Sequence, residues 1–416
     1  LNRRAVVTGI GCLSPNGAGR ENFSRALREG KSGIGRVSLF DPEGLSVTIA
    51  GELKNFDPSA ELPPRELARL SRTVPMAIAA SREALADAGI DWTTLSLHEA
   101  REFNVLLGTG GGSIEFEERM YHLYYTGQQR KASAHTISTG TMGTMSSELS
   151  MKFGLRGLSH VVTTGCASST DALGYAFRSI KHGEGRLFLV GGADATIVRG
   201  IMEGFILMRV VSTAHEAEPE RASRPFSADR DGFVLGEGAW MFILEELEHA
   251  RARGARIYGE IAGYGATCDA LHRIRLDESG EEPARAMSLA MAEARVSPSD
   301  VDYLAYHGTS TEMNDRVETR SVRLAFGKAA VNLPGSSIKS MIGHPQGACG
   351  AAGVAATLLG MRDGYLPPTI NLERRDPQCD LDYVENVARE APISTALCNC
   401  IAFGSKNSAL VVKRFA

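Results

Sequence analysis

Cys166 follows a β-branched run and a glycine, and is itself followed by Ala167, Ser168, Ser169 and Thr170 before a helical pattern begins. Its sulfur is expected at or just before a helix N-terminus, where unpaired N–H groups and the helix dipole favour the thiolate. His307 ends the apolar stretch "VDYLAY" and enters "HGTST", in which Thr309 and Thr311 offer hydroxyls along an extended edge. Lys339 and His344 lie in "IKSMIGHPQGACG", the lysine after an apolar strand and the histidine in the glycine turn ahead of a small-residue helix. One cysteine and two histidines thus stand at three strand-to-loop junctions, where cleft residues of a layered α/β chain are expected. Taken singly, each residue has an ordinary explanation. A lone cysteine is commonly a buried small hydrophobe, a lone histidine a structural one, and a lone lysine faces solvent.

Taken together, the set fits one kind of chemistry better than others. A thiolate accepts an acyl group from a thioester and splits one hard step into two. Two imidazoles donating hydrogen bonds to a second thioester carbonyl would stabilise an enolate as it forms. Metal-assisted hydrolysis would want carboxylates or further histidines at ligand spacing, and a cysteine protease would need only one histidine with an orienting Asn or Asp.

The elements that must position these residues alternate along the chain. Short β-branched runs such as "RAVVTGIG", "FNVLLGTGGG", "RLFLVGGADA" and "VDYLAYHGTS" read as strands ending in small-residue turns. Helical patterns cover residues 65–88, 169–182, 283–294 and 350–362, so the class is α/β. The segments around Cys166 and His344 share a strand, turn and helix plan closing at Gly183 and Gly364. Aligning the two helix ends sets Cys166 opposite Gly347, which hints at an internal duplication. The expected organisation is two similar halves, 1–255 carrying the cysteine and 256–416 carrying the histidines. In 416 residues, 43% are apolar and 23% charged with a net charge of −4, which gives no whole-chain reason to expect nucleic acid or membrane partners. Seven cysteines without disulfide or zinc spacing, and no apolar run of membrane length, point to a reducing, cytoplasmic setting.

The motifs "TTGCASS", "SRPFSADRDGFVLGEGA", "YHGTST", "IKSMIGHPQGACGAAG", "LPPTINL" and "CDLDYV", spread over nearly the whole chain, carry a resemblance to the β-ketoacyl-acyl carrier protein synthases. The likeness is nearest to the elongating synthase II type and the catalytic ketosynthase subunits of type II polyketide synthases. It implies a thiolase fold, two similar halves in a five-layer α-β-α-β-α arrangement, and a dimer. It also implies Cys166 as acyl-carrying nucleophile, His307 and His344 as promoters of malonyl decarboxylation, and Lys339 as their supporting lysine. Phe403 matches the gating phenylalanine, its N–H and that of Cys166 forming an oxyanion hole, and Thr309 and Thr311 match the threonines that hold the phosphopantetheine arm. Implied partners are acyl carrier protein and either a second copy or a chain-length-factor-like subunit, with no metal or organic cofactor required. Arg209 matches a basic carrier-docking position, and Arg65, Arg69 and Arg72 lie in the region of a second one.

The sequence also departs from the family pattern. Glu312 stands where proline usually follows "HGTST", Gly353 replaces a glutamate in the helix after His344, and Ser405 replaces the second glycine of Phe-Gly-Gly. With the unusual "SIEFEE" segment, these departures favour a specialised type II polyketide or polyene pathway over housekeeping fatty acid elongation. The same fold would also serve a non-condensing acyltransferase or a non-catalytic chain-length partner, the latter opposed by the presence of Cys166.

Overall fold

The computed structural model describes residues 3–404 and 406–415. Ten strands carry the framework. In the first half they are β1 (Ala5–Ser14), β2 (Phe103–Gly108), β3 (Ser159–Val162), β4 (Leu187–Asp194) and β5 (Gly238–Glu246). In the second they are β6 (Gly259–Cys268), β7 (Tyr303–Ala305), β8 (Gly335–Ser336), β9 (Thr395–Ala402) and β10 (Lys406–Arg414). The spatial order of the first half is 3-2-4-5-1, with β3, β2 and β4 parallel and β5 antiparallel to both β4 and β1. The second half repeats that order and those directions as 8-7-9-10-6. The two meet where β1 and β6 pair over Ala5–Val7, giving one continuous sheet.

Five helices complete the layering: α1 (Thr73–Asp87), α2 (Ser168–His182), α3 (Glu281–Ala294), α4 (Glu312–Phe326) and α5 (Cys349–Asp363). α1 packs outside the first half against β1 and β5, and α3 outside the second against β6 and β10, with α4 beside α3. α2 and α5 lie between the halves and touch strands of both. This is the expected α-β-α-β-α arrangement, with a separate apolar core on each face. The central layer is tight because its helices are rich in small residues. A Cβ at Gly350 would lie 2.0 Å from the Thr170 hydroxyl, and one at Gly174 would enter the Tyr264 ring. α2 and α5 are each 15 residues long and end at left-handed glycines, Gly183 and Gly364. Cys166 and Gly347 therefore sit at matching positions, each two residues ahead of its helix.

Three local expectations are corrected. The helical pattern over 65–88 breaks into Pro64–Leu67 and α1, because Pro75 is tolerated only in a first turn and the helix restarts just ahead of it. The strand before His307 ends two residues early, at Ala305. The apolar strand expected just before Lys339 shrinks to Gly335–Ser336, and Lys339, 5% exposed, opens a four-residue helix, Lys339–Ile342.

Candidate active site

Between β3 and α2 the chain turns through Gly165, whose φ of 67° is left-handed and suits glycine. The Ser168 hydroxyl accepts the Thr164 N–H at 2.9 Å and donates to the Gly165 carbonyl at 2.6 Å, fixing the turn that presents Cys166. The thiol is 6% exposed. Burial pushes its pKa up to about 12, with neighbouring Cys349 adding to the rise, while Lys339 and the Phe403 backbone N–H pull against it. Burial thus works against the thiolate expected at a helix N-terminus and favours a proton on sulfur in the resting protein.

His307 and His344 complete a buried trio, their ring nitrogens and the Cys166 sulfur lying within 4.8 Å of one another. The rings stand nearly perpendicular, 5.4 Å between centroids. Nδ1 of His344 accepts the Gln346 N–H at 3.2 Å, which leaves the ring proton on Nε2. Lys339 Nζ donates to the His307 carbonyl at 2.5 Å and lies 3.5 Å from His307 Nδ1, so that ring too carries its proton on Nε2. Burial, then the nearby Lys339 charge, holds both imidazoles well below the usual histidine range; His344 depresses His307 further. Both are neutral Nε2–H donors at ordinary pH. The Lys339 cation also disfavours a metal at this trio or at the second donor cluster, His307, Cys349 and Cys400.

Cys166, His307 and His344 end a cavity of about 190 Å³ whose walls are largely apolar and include Ile274, Met313, Ala402 and Phe403. Thr309 and Thr311 line it, their hydroxyls 2.8 Å apart. Phe403, half-buried, lines the cavity with its N–H directed at the Cys166 sulfur.

Several residues of the site escaped the sequence reading. Glu318 accepts the N–H groups of His307 and Gly308, both at 2.7 Å, and the Asn399 amide at 2.6 Å. Burial lifts its pKa to about 7 despite these bonds. Its signal was a carboxylate four residues before Val322 on the buried face of α4. Asp194, wholly buried, accepts from Thr109 at 2.7 Å and from the N–H groups of Gly110 and Gly111, tying the loop after β2 to the end of β4. Asp315, paired with Arg230, accepts the Thr309 N–H at 3.0 Å. Arg275 lines the cavity within the exposed stretch 271–275.

The expected docking arginines separate. Arg209 is exposed, with a left-handed φ of 55°, immediately before cavity-lining Val210. Arg65 and Arg69 are exposed. Arg72 is not free: its guanidinium grips buried Glu237 at 2.9 Å and lies over the Phe56 ring, which removes it as a docking charge. Among the departures, Glu312 starts α4 and pairs with Arg316 at 2.6 Å. Gly353 has open space around it, only Ala305 lying as near as 3.9 Å to a Cβ built there. Ser405 lies outside the described residues. The "SIEFEE" segment begins the helix Ile114–Tyr125, where Glu115 and Glu118 accept the N–H groups of Arg72 and Gly200.

Comparison with known proteins agrees with this geometry. Residues 2–250 match the Beta-ketoacyl synthase N-terminal domain and residues 258–373 the C-terminal domain. A polyketide beta-ketoacyl synthase 1 of Streptomyces halstedii is 41% identical, covering 99% of this chain and 98% of the relative. A 3-oxoacyl-[acyl-carrier-protein] synthase 2 of Synechocystis is 38% identical over 99% of this chain and 98% of its own length. The solved ishigamide ketosynthase/chain length factor superposes with a TM-score of 0.93 at 32% identity over the full length of both chains. No helix among the described residues is long and apolar enough to cross a membrane. With both domains matched in order around a buried cysteine and two histidines, the chain belongs to the β-ketoacyl synthase family.

Proposed function

We propose that the chain catalyses decarboxylative Claisen condensation of an acyl chain carried on Cys166 with malonyl-acyl carrier protein, giving 3-oxoacyl-acyl carrier protein. The observation that carries this reading is the pair of neutral Nε2–H imidazoles beside one thiol at the end of an apolar cavity. The acyl thioester enters past Thr309 and Thr311 with its carbonyl toward the N–H groups of Cys166 and Phe403. As sulfur attacks the thioester carbonyl, its proton passes to the departing carrier thiolate, which leaves as the thiol. Malonyl-carrier follows, its thioester oxygen taking hydrogen bonds from His307 and His344. Carbon dioxide leaves, and the enolate held by those two donors attacks the acyl-cysteine. Lys339 is a positioning residue: it fixes the His307 tautomer and keeps positive charge beside the developing anion. Apolar walls exclude water that would hydrolyse the acyl-enzyme or quench the enolate.

Two further features belong to this proposal. Residues 1–255 and 256–416 act as the halves that carry the nucleophile and the histidines. The acyl carrier protein docks through Arg209, with Arg65 and Arg69 as a second basic region, in a reducing, cytoplasmic setting. The pathway is a type II polyketide or polyene one, supported by the departures at Glu312, Gly353 and Ser405 and by the polyketide relative. Fatty acid elongation is the second reading, supported by the 38% identical relative. The direct test is acyl loading. Incubation with acyl-carrier protein should add one acyl mass to the chain, located on Cys166, and Cys166→Ala should take up none. Loading elsewhere, or undiminished loading of the variant, would refute the nucleophile.

A further inference from the structure

Two buried thiols stand behind the nucleophile and take no part in the steps above. Cys349 opens α5 and Cys400 lies on β9, their sulfurs 3.6 Å apart. Both sulfurs lie within hydrogen-bonding distance of the Cys166 carbonyl, at 3.2 and 3.1 Å, and the Cys400 sulfur is also 3.5 Å from His307 Nδ1. Burial pushes the Cys349 thiol up, but the hydrogen bond with Cys400 and the Lys339 charge outweigh it and hold that thiol below its usual range. One turn further along α5, Gly353 is partly accessible although Ala352 and Val354 beside it are buried, and a Cβ there would meet only Ala305 at 3.9 Å. Room for at least a methyl group, partly open to solvent, thus lies one turn from Cys349 on the same helix.

We propose that Cys349 and Cys400 are an oxidisable dithiol, a modification site that hydrogen peroxide converts to a disulfide and that silences the neighbouring nucleophile. The Cys349 thiolate attacks one peroxide oxygen; with one proton taken up, water leaves and a sulfenic acid remains. The Cys400 thiol then displaces the sulfenic oxygen as a second water, so two thiols are oxidised and one peroxide is reduced. Closing the sulfurs from 3.6 Å to about 2.05 Å draws the first turn of α5 toward β9. It also removes both S–H groups from beside the Cys166 carbonyl. Only the effect on rate rests on the proposed condensation; the chemistry of the pair does not.

The test is oxidation of the reduced protein with equimolar hydrogen peroxide, alkylation in denaturant and tryptic mapping. The expected product joins peptide 340–362, through Cys349, to peptide 390–406, through Cys400 by fragmentation. Turnover should fall about tenfold or more and return with dithiothreitol. Cys349→Ala and Cys400→Ser should each lack the joined peptide and keep their own untreated rate after peroxide. The proposal is overturned if oxidation lands on Cys166 while Cys349 and Cys400 remain alkylated, or if Cys349→Ala is as sensitive as the parent. A joined peptide with unchanged turnover would overturn the silencing. If the joined peptide forms but the reduced protein never condenses, the dithiol stands and the proposed function fails.

Discussion

His307 and His344 matter as neutral donors, and their burial makes that state persist as the pH falls. Because both pKa values are lowered from the ordinary 6.5, decarboxylation should not decline with the protonation of an ordinary histidine between pH 7.5 and about 6. Stability runs the other way. Below about pH 6.5 the unfolded chain takes up protons that the folded chain refuses, so folding free energy drops there. His344→Asn should lose less stability than the parent between pH 7 and 5 in denaturant titrations, while its carbon dioxide release falls by about 10²-fold or more. Cys166, raised to about 12, should alkylate slowly with iodoacetamide up to pH 9; fast modification at pH 7 would contradict the buried thiol. The identities of these residues were legible in the sequence because motif and spacing carry them. Their protonation was not: the helix N-terminus at Cys166 pointed to a thiolate, and its burial works against that. Glu318 escaped for the same reason, since a carboxylate in a helix reads as surface until the strand packed against it is known.

At the scale of elements, α5 offers a contrast within one turn. Gly350→Ala drives a methyl into Thr170 and should cost about 1–3 kcal/mol. Gly353→Ala meets only Ala305, at an ordinary contact distance, and should be neutral or stabilising by up to about 1 kcal/mol, as expected for replacing a helical glycine. Chemical denaturation of the two variants checks both. The pair Arg72–Glu237 makes a similar point. Glu237→Gln leaves a mostly buried guanidinium without its partner and should cost roughly 3–5 kcal/mol. Arg72→Ala should therefore appear as lost stability, whereas Arg209→Glu should raise the KM for carrier protein and leave the melting temperature unchanged. Strands and helix ends were legible from alternation and from glycines such as Gly183 and Gly364. The break at residues 68–72 was less so, because the apolar spacing continues across it and only Pro75 marks the restart.

The whole molecule shows the duplication more clearly than its sequence does. Strand order and direction repeat across the halves while the side chains have diverged, so only the turns before α2 and α5 kept a recognisable likeness. The first half ends in an open edge: among the described residues β3 pairs only with β2, its four residues are partly or fully exposed, and Met151, Leu158 and Tyr175 are exposed large apolar residues in the segments flanking it or in α2. Unpaired edges of this kind are templates for strand addition. Sedimentation should find the chain in a complex of two subunits, alone or with a chain-length-factor-like partner; a monomer in both conditions would contradict this. Whether a trio of buried side chains on this scaffold condenses thioesters is the central question, and product stoichiometry answers it most directly. With acyl-carrier protein and malonyl-carrier protein supplied together, each single extension should release one carbon dioxide and form one 3-oxoacyl chain two carbons longer. Acylation of Cys166 with hydrolysis alone, and neither carbon dioxide nor the longer chain, would contradict the account.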